Sequence, residues 1–164
     1  MEEIKSMKDK KGAGANSKTR MFILVVIAIV IILAACIINM PANKAKLVLN
    51  LWHDDFEANS ISALQNSNAD DKLHGVKLDG VFKSQASGND EAGIVQYRVK
   101  AHGLPSAGAY YGFYYSPDDE PAAYQNIDCR LKEDGDNRWS WSKDGASGVT
   151  YKICDKFYYY KAVL

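Results

Sequence analysis

A mainly β domain carried on a single N-terminal transmembrane helix is the architecture this sequence predicts. Three features carry the expectation. Met21 to Ile38 is an eighteen-residue run without a charged side chain. Beyond His74 the chain changes to short alternating runs separated by Gly, Pro, Asn and Asp, and those runs hold most of its ten tyrosines. The exported part is expected to be a small antiparallel β-sandwich or barrel-like domain with at most one short helix. In chain order the expected parts are a basic cytoplasmic tail (1–20), a membrane anchor or signal segment (21–40), a connector with a short helix (41–72) and the β-rich extracytoplasmic domain (73–164).

The tail carries Lys5, Lys8, Lys10, Lys11, Lys18 and Arg20 against Glu2, Glu3 and Asp9, a net charge of +3. The overall charge is zero, so the remainder is net −3. A mildly acidic domain does not suit a polyphosphate, and nucleic acid is excluded as a partner. As a helix, MFILVVIAIVIILAACII spans about 27 Å, close to the hydrocarbon thickness of a bilayer. It is apolar all round, whereas a soluble amphipathic helix keeps a polar face. Asn39 and Pro41 are expected to end it. Six basic residues precede the span and only Lys44 and Lys46 follow closely, which predicts a cytoplasmic N-terminus, a single pass through the plasma membrane and an external domain.

Leu33-Ala34-Ala35-Cys36 resembles the lipobox of bacterial lipoproteins. That resemblance implies cleavage before a lipidated Cys36; the alternative is an uncleaved signal anchor. The run Leu24–Ile29 followed by Leu33-Ala34-Ala35 also resembles the N-terminal helix of type IV pilins. The Gly-Phe processing site and the glutamate five residues into that helix are missing here, and shared Leu, Ile, Val and Ala account for the likeness.

After the span, Leu47, Leu49 and Leu51 alternate as in a strand, whereas Trp52, Phe56 and Leu64 form a stripe on a short helix through Asp54–Gln65. Strands are expected around Val76–Leu78 and Gly80–Phe82, with Asp79-Gly80 a turn or bulge, and at Val95–Val99 after a loop at Ser87-Gly88-Asn89-Asp90. Further strands are expected at Tyr110–Tyr115, Ile127–Leu131, Trp139–Trp141, Val149–Cys154 and Phe157–Val163. Ser116–Pro121 and Glu133–Asn137 must turn, and Lys143–Gly148 reads as a loop.

Candidate chemistry is sparse. Cys129 and Cys154 are the only cysteines beyond the span; in an oxidising compartment they predict a disulfide closing a loop of about 25 residues, contributing roughly 3 kcal/mol. The alternative is two buried thiols. His53, His74 and His102 lack any ligand spacing, and no HExxH, GxSxG or Cys–His signature is visible, so no enzyme activity, metal or cofactor is expected. The acidic turns at Asp118–Glu120 and Glu133–Asn137 are ordinary turn chemistry that could also attract calcium. The adjacent tyrosines around Tyr110, Tyr114, Tyr158 and Tyr160 put aromatics on both strand faces. One face fills a core; the other either covers a second layer or grips a ligand. These four are the candidate binding residues of a non-enzymatic module meeting a cell-envelope polysaccharide or protein. An accessory subunit of a membrane complex, and an enzyme centred on Asp118, Asp119 or His102, are the alternatives.

Overall fold

The computed structural model describes residues 17–66, 70, 73–84 and 93–164; most of the basic tail and the loop expected at 87–90 lie outside the described residues. The chain divides into two units, one ending at Asn39 and one beginning at Met40.

The first unit is helix α1, Ser17–Ile38. Its 22 residues extend about 33 Å, and none is buried. Among the described residues it is the one helix long and apolar enough to cross a membrane. Asn39 terminates it. Its backbone N–H and its side-chain amide both donate to the Ala35 carbonyl, at 3.1 and 2.8 Å.

The second unit is mainly β and antiparallel, as expected, and it is one continuous sheet. The strands are β1 (Gly80–Ser84), β2 (Ile94–Leu104), β3 (Ala107–Tyr115), β4 (Lys132–Glu133), β5 (Arg138–Lys143), β6 (Ala146–Cys154) and β7 (Phe157–Val163). Their order is β1-β2-β3-β7-β6-β5-β4, so the last strand sits at the centre. Lys143–Gly148 is a tight hairpin rather than a loop. Asp144 and Gly145 both have positive φ, the geometry of a two-residue turn whose twist matches the flanking strands, and Ala146–Gly148 already pair as strand.

Each face of the sheet packs against a cover that is not a second sheet. Helix α2 (Pro41–Asn66) covers one, packing Ala45, Val48, Leu49, Phe56 and Ala63 against Val95, Tyr97, Phe113, Tyr115, Phe157 and Tyr159. The segment expected to be a connector is therefore half of the core, and its helix runs 26 residues. Its middle is bent at Trp52, whose φ of −139° and ψ of 35° are not helical. The second face is covered by residues 116–131, which leave β3, fold back and place Ala122, Ala123 and Tyr124 over Tyr110, Tyr114, Tyr158 and Tyr160. Ile127, Cys129 and Leu131 pack against this layer as irregular chain; pairing begins only at Lys132.

Candidate functional site

The four tyrosines expected to bind a ligand are core. Tyr110, Tyr114, Tyr158 and Tyr160 are all nearly inaccessible, with Tyr114 wholly so. Tyr114 stacks on Tyr158 at 5.3 Å, and Tyr110 stacks on Tyr124 at 5.5 Å. The Tyr114 hydroxyl accepts from the Ala122 N–H at 2.7 Å and lies 2.8 Å from Thr150 Oγ1, which stitches the covering segment to the sheet. Burial pushes the Tyr114, Tyr158 and Tyr160 hydroxyls far above the ordinary phenol range. No aromatic face is left open by these residues.

The expected Cys129–Cys154 disulfide is not formed. Both cysteines are free thiols. Cys154 packs with the helix-side layer and Cys129 with the opposite one, so the sheet separates them. Burial raises both thiol pKa values, which favours the protonated form.

Asp118, Asp119 and His102 do not converge. His102 pairs with Ala109 near the β2–β3 turn, whereas Asp119 follows the opposite end of β3, about 20 Å away at 3.3 Å per residue. Asp119 is committed to holding the covering segment. Its carboxylate accepts from the Lys152 ammonium, from the Lys156 N–H at 2.9 Å and from the Tyr158 hydroxyl at 3.1 Å. Its φ of 57° reverses the chain there. Burial works to raise its pKa, but the hydrogen bonds from Lys152, Lys156 and Tyr158 outweigh that and hold it below the ordinary carboxylate value. Such a group stabilises the fold above its unfolded pKa of about 3.9, and the contribution is lost as pH falls through the lower, folded value. Asp119→Ala is expected to cost about 3 kcal/mol at pH 7, from the three hydrogen bonds lost, and to flatten the acid limb of stability. Urea denaturation at neutral pH and again below pH 4 checks both.

His53 and His74, distant in sequence, flank the bend in α2. His74 stacks on Trp52 at 5.1 Å and meets Asp55 at 2.7 Å. His53 meets Asp54 at 3.0 Å, a hydrogen bond that raises its pKa against the effect of burial. The neighbouring Glu57 receives Lys156 at 3.1 Å and the Tyr115 hydroxyl at 3.4 Å. The Glu57–Lys156 pair, with His53 Nε2 3.4 Å from the Asp155 carbonyl, fastens the bent helix to the β6–β7 hairpin. The acidic Glu133–Asn137 turn is closed by backbone bonds, Asp134 N–H to Arg138 O at 2.9 Å and Arg138 N–H to Gly135 O at 3.2 Å.

Open, concave surface lies beside α2 on the same face. Over β5, β6 and β7 a groove of about 430 Å³ is lined by Arg138, Ser140, Ser147, Val149, Lys161 and Val163. Strand alternation explains it. Arg138 and Ser140 on β5, Ser147 and Val149 on β6, and Lys161 and Val163 on β7 all point to the helix-bearing face. On the other side of α2 a smaller cleft of about 280 Å³ is lined by Lys44, Lys77, Asp79, Val99 and Lys100. Neither surface was legible as a site, because the residues of each come from three elements and each reads alone as an ordinary solvent-facing position. No protein-family model, curated protein or solved structure matches this chain.

Proposed function

We propose that this chain is a single-pass protein of the plasma membrane whose C-terminal domain stands outside the cytoplasm and binds a partner without chemical turnover. The observation that carries the reading is α1: 22 residues, every side chain exposed among the described residues. Left in water it would present an apolar surface far beyond what a soluble monomer tolerates. The basic tail before it orients the chain. The binding surface of choice is the groove over β5–β7, where Arg138 and Lys161 flank Val149 and Val163 on a rigid sheet. That lining suits an envelope polysaccharide or protein carrying acidic groups. Retention of α1 is supported by its unbroken run through Cys36 to Ile38. The lipobox-like Leu33–Cys36 favours the lipoprotein as a second reading.

Mass measurement of the protein extracted from membranes, combined with protease treatment of intact cells, tests the anchor. An intact N-terminus, with the domain digested from outside and the tail protected, is expected. A chain beginning at a lipidated Cys36 would replace the anchor by the lipoprotein. Recovery in the soluble fraction would overturn both.

A further inference from the structure

Pro41 follows Ile38 after two residues, so Lys44 is within about 22 Å of the end of α1 along the chain, whatever the orientation of the two units. Lys44 lines the smaller cleft with Lys77 and Lys100. Three lysines thus line a cleft that holds one acidic residue, Asp79, and that carboxylate is already taken. Arg98 Nε lies 3.3 Å from its Oδ2, and the guanidinium also donates to the Asp79 carbonyl at 3.0 Å. Among the described residues no ion pair involves Lys44, Lys77 or Lys100. Lys44 gives one hydrogen bond to the Lys77 carbonyl at 3.3 Å, which leaves two of its donors. The cleft therefore carries uncompensated positive charge in a domain that is net negative overall.

The same face continues the pattern. Lys100, Tyr111 and Lys161 stand in one cross-strand row, with the Lys161 ammonium 5.8 Å from the Tyr111 ring. Lys46 lies over Tyr151 at 5.7 Å. The acids of α2, Asp54, Asp55 and Glu57, all come after the bend at Trp52, so the part of the helix that follows the span is purely basic. Four residues beyond Lys100, about 13 Å along β2, Leu104 ends the strand with 69 % of its surface exposed. Lysines around an apolar tip are the chemistry of a surface that rests in the headgroup region of a bilayer.

We propose that the Lys44–Lys77–Lys100 cleft seats the phosphate of an anionic phospholipid from the leaflet in which α1 ends, with Leu104 dipping beside it. This rests on the reading of α1 as a membrane anchor. The lysines are at the surface, where each favours an anionic membrane by only about fivefold. Free phosphate at cellular concentration would hold such a site poorly. A lipid surface kept within reach by the covalent tether supplies the high effective concentration that weak contacts require. The seat would fix how the domain stands on its membrane and leave the β5–β7 groove for its partner.

The test uses the full chain reconstituted in nanodiscs of phosphatidylcholine alone, or with ~30 % phosphatidylglycerol, read by amide hydrogen exchange. Slower exchange over Val99–Ala107 in the anionic discs is expected. It should disappear at about 0.5 M NaCl and fall about 25-fold in Lys44→Gln/Lys100→Gln. Unchanged exchange in β7 verifies that the variant is folded, and Lys132→Gln, on the distant β4 edge, should keep the full response. Equal exchange in both disc types with the chain incorporated overturns the lipid seat and leaves the anchor standing. Protection by inorganic phosphate in neutral discs, without a response to phosphatidylglycerol, also overturns it. Failure of the wild-type chain to incorporate at all overturns the anchor reading first.

Discussion

Phe56→Ala is expected to destabilise the folded domain by about 3–5 kcal/mol, lowering its melting temperature by roughly 12 °C or more. Phe56 is wholly inaccessible. Its ring meets Tyr97 edge-on at 5.1 Å and Phe113 at 5.2 Å, while those two stack on each other at 5.0 Å. The three rings are the contact through which α2 is held on β2 and β3. Truncation removes the transfer energy of one ring and opens a void that the remaining pair, fixed on adjacent strands in the register Tyr97–Phe113, cannot close. It also loosens the polar fastening beside it. The Tyr97 hydroxyl lies 2.8 Å from Ser60 Oγ and accepts from the Asn59 amide at 3.1 Å, one helical turn further on. Phe56→Leu keeps most of the volume and should cost less than half as much. Thermal unfolding followed by near-ultraviolet circular dichroism reads both, since the signal comes from the same aromatic cluster. Equal, small losses for the two variants would mean that α2 is not part of the cooperative unit.

That α2 belongs to the core was only partly legible. Its buried face is Ala45, Val48, Leu49, Phe56, Ser60 and Ala63, so half of its stripe is built from Ala and Ser, which carry little hydrophobic signal. Meanwhile Leu47 and Leu51 point outward, Leu51 with 59 % exposure, and with Leu49 between them they imitate a strand. The bend at Trp52 breaks the period again by shifting the second half of the stripe. The strands were legible because β2 alternates apolar and polar residues, while β3, β6 and β7 are rich in aromatic and β-branched residues and are punctuated by turn residues that local chemistry dictates. The fate of the tyrosines was not. Alternation shows which residues share a face but not what lies over it. The cover on the second face is the polar, proline-bearing segment 116–131, whose apolar content is little more than Ala122, Ala123, Tyr124 and the partly buried Ile127, Cys129 and Leu131. A reading of strand faces leaves that side open, and the free aromatics then look like a binding surface. The lysine cleft escapes for a related reason: Lys44, Lys77 and Lys100 come from α2, the loop before β1 and β2, and only the fold makes them neighbours.

Gly112→Ala is expected to be comparably damaging despite adding one carbon. A Cβ at this position would sit 2.0 Å from the Tyr97 carbonyl oxygen and 2.9 Å from the Tyr160 ring and hydroxyl. The first contact is with backbone in the adjacent strand, and it falls where β2 and β3 slip register between Arg98 and Lys100. The second is with a ring that Tyr124 covers at 5.3 Å and that is itself fully buried. Neither neighbour can retreat without parting β3 from β2 or lifting residues 116–131 off the sheet. Overpacking of this kind costs typically 1–3 kcal/mol, and a backbone clash at the centre of a sheet belongs at the upper end, about 3 kcal/mol. The glycine also explains how two tyrosine-rich strands can pack against so thin a cover: its missing side chain is the space the Tyr160 ring occupies. Tyr160→Leu in the same chain should therefore recover part of the loss, because it removes the ring but not the backbone clash. A double-mutant cycle on urea midpoints measures that coupling. Strict additivity of the two substitutions would show that Gly112 is required by the backbone alone and that the ring is not packed on it.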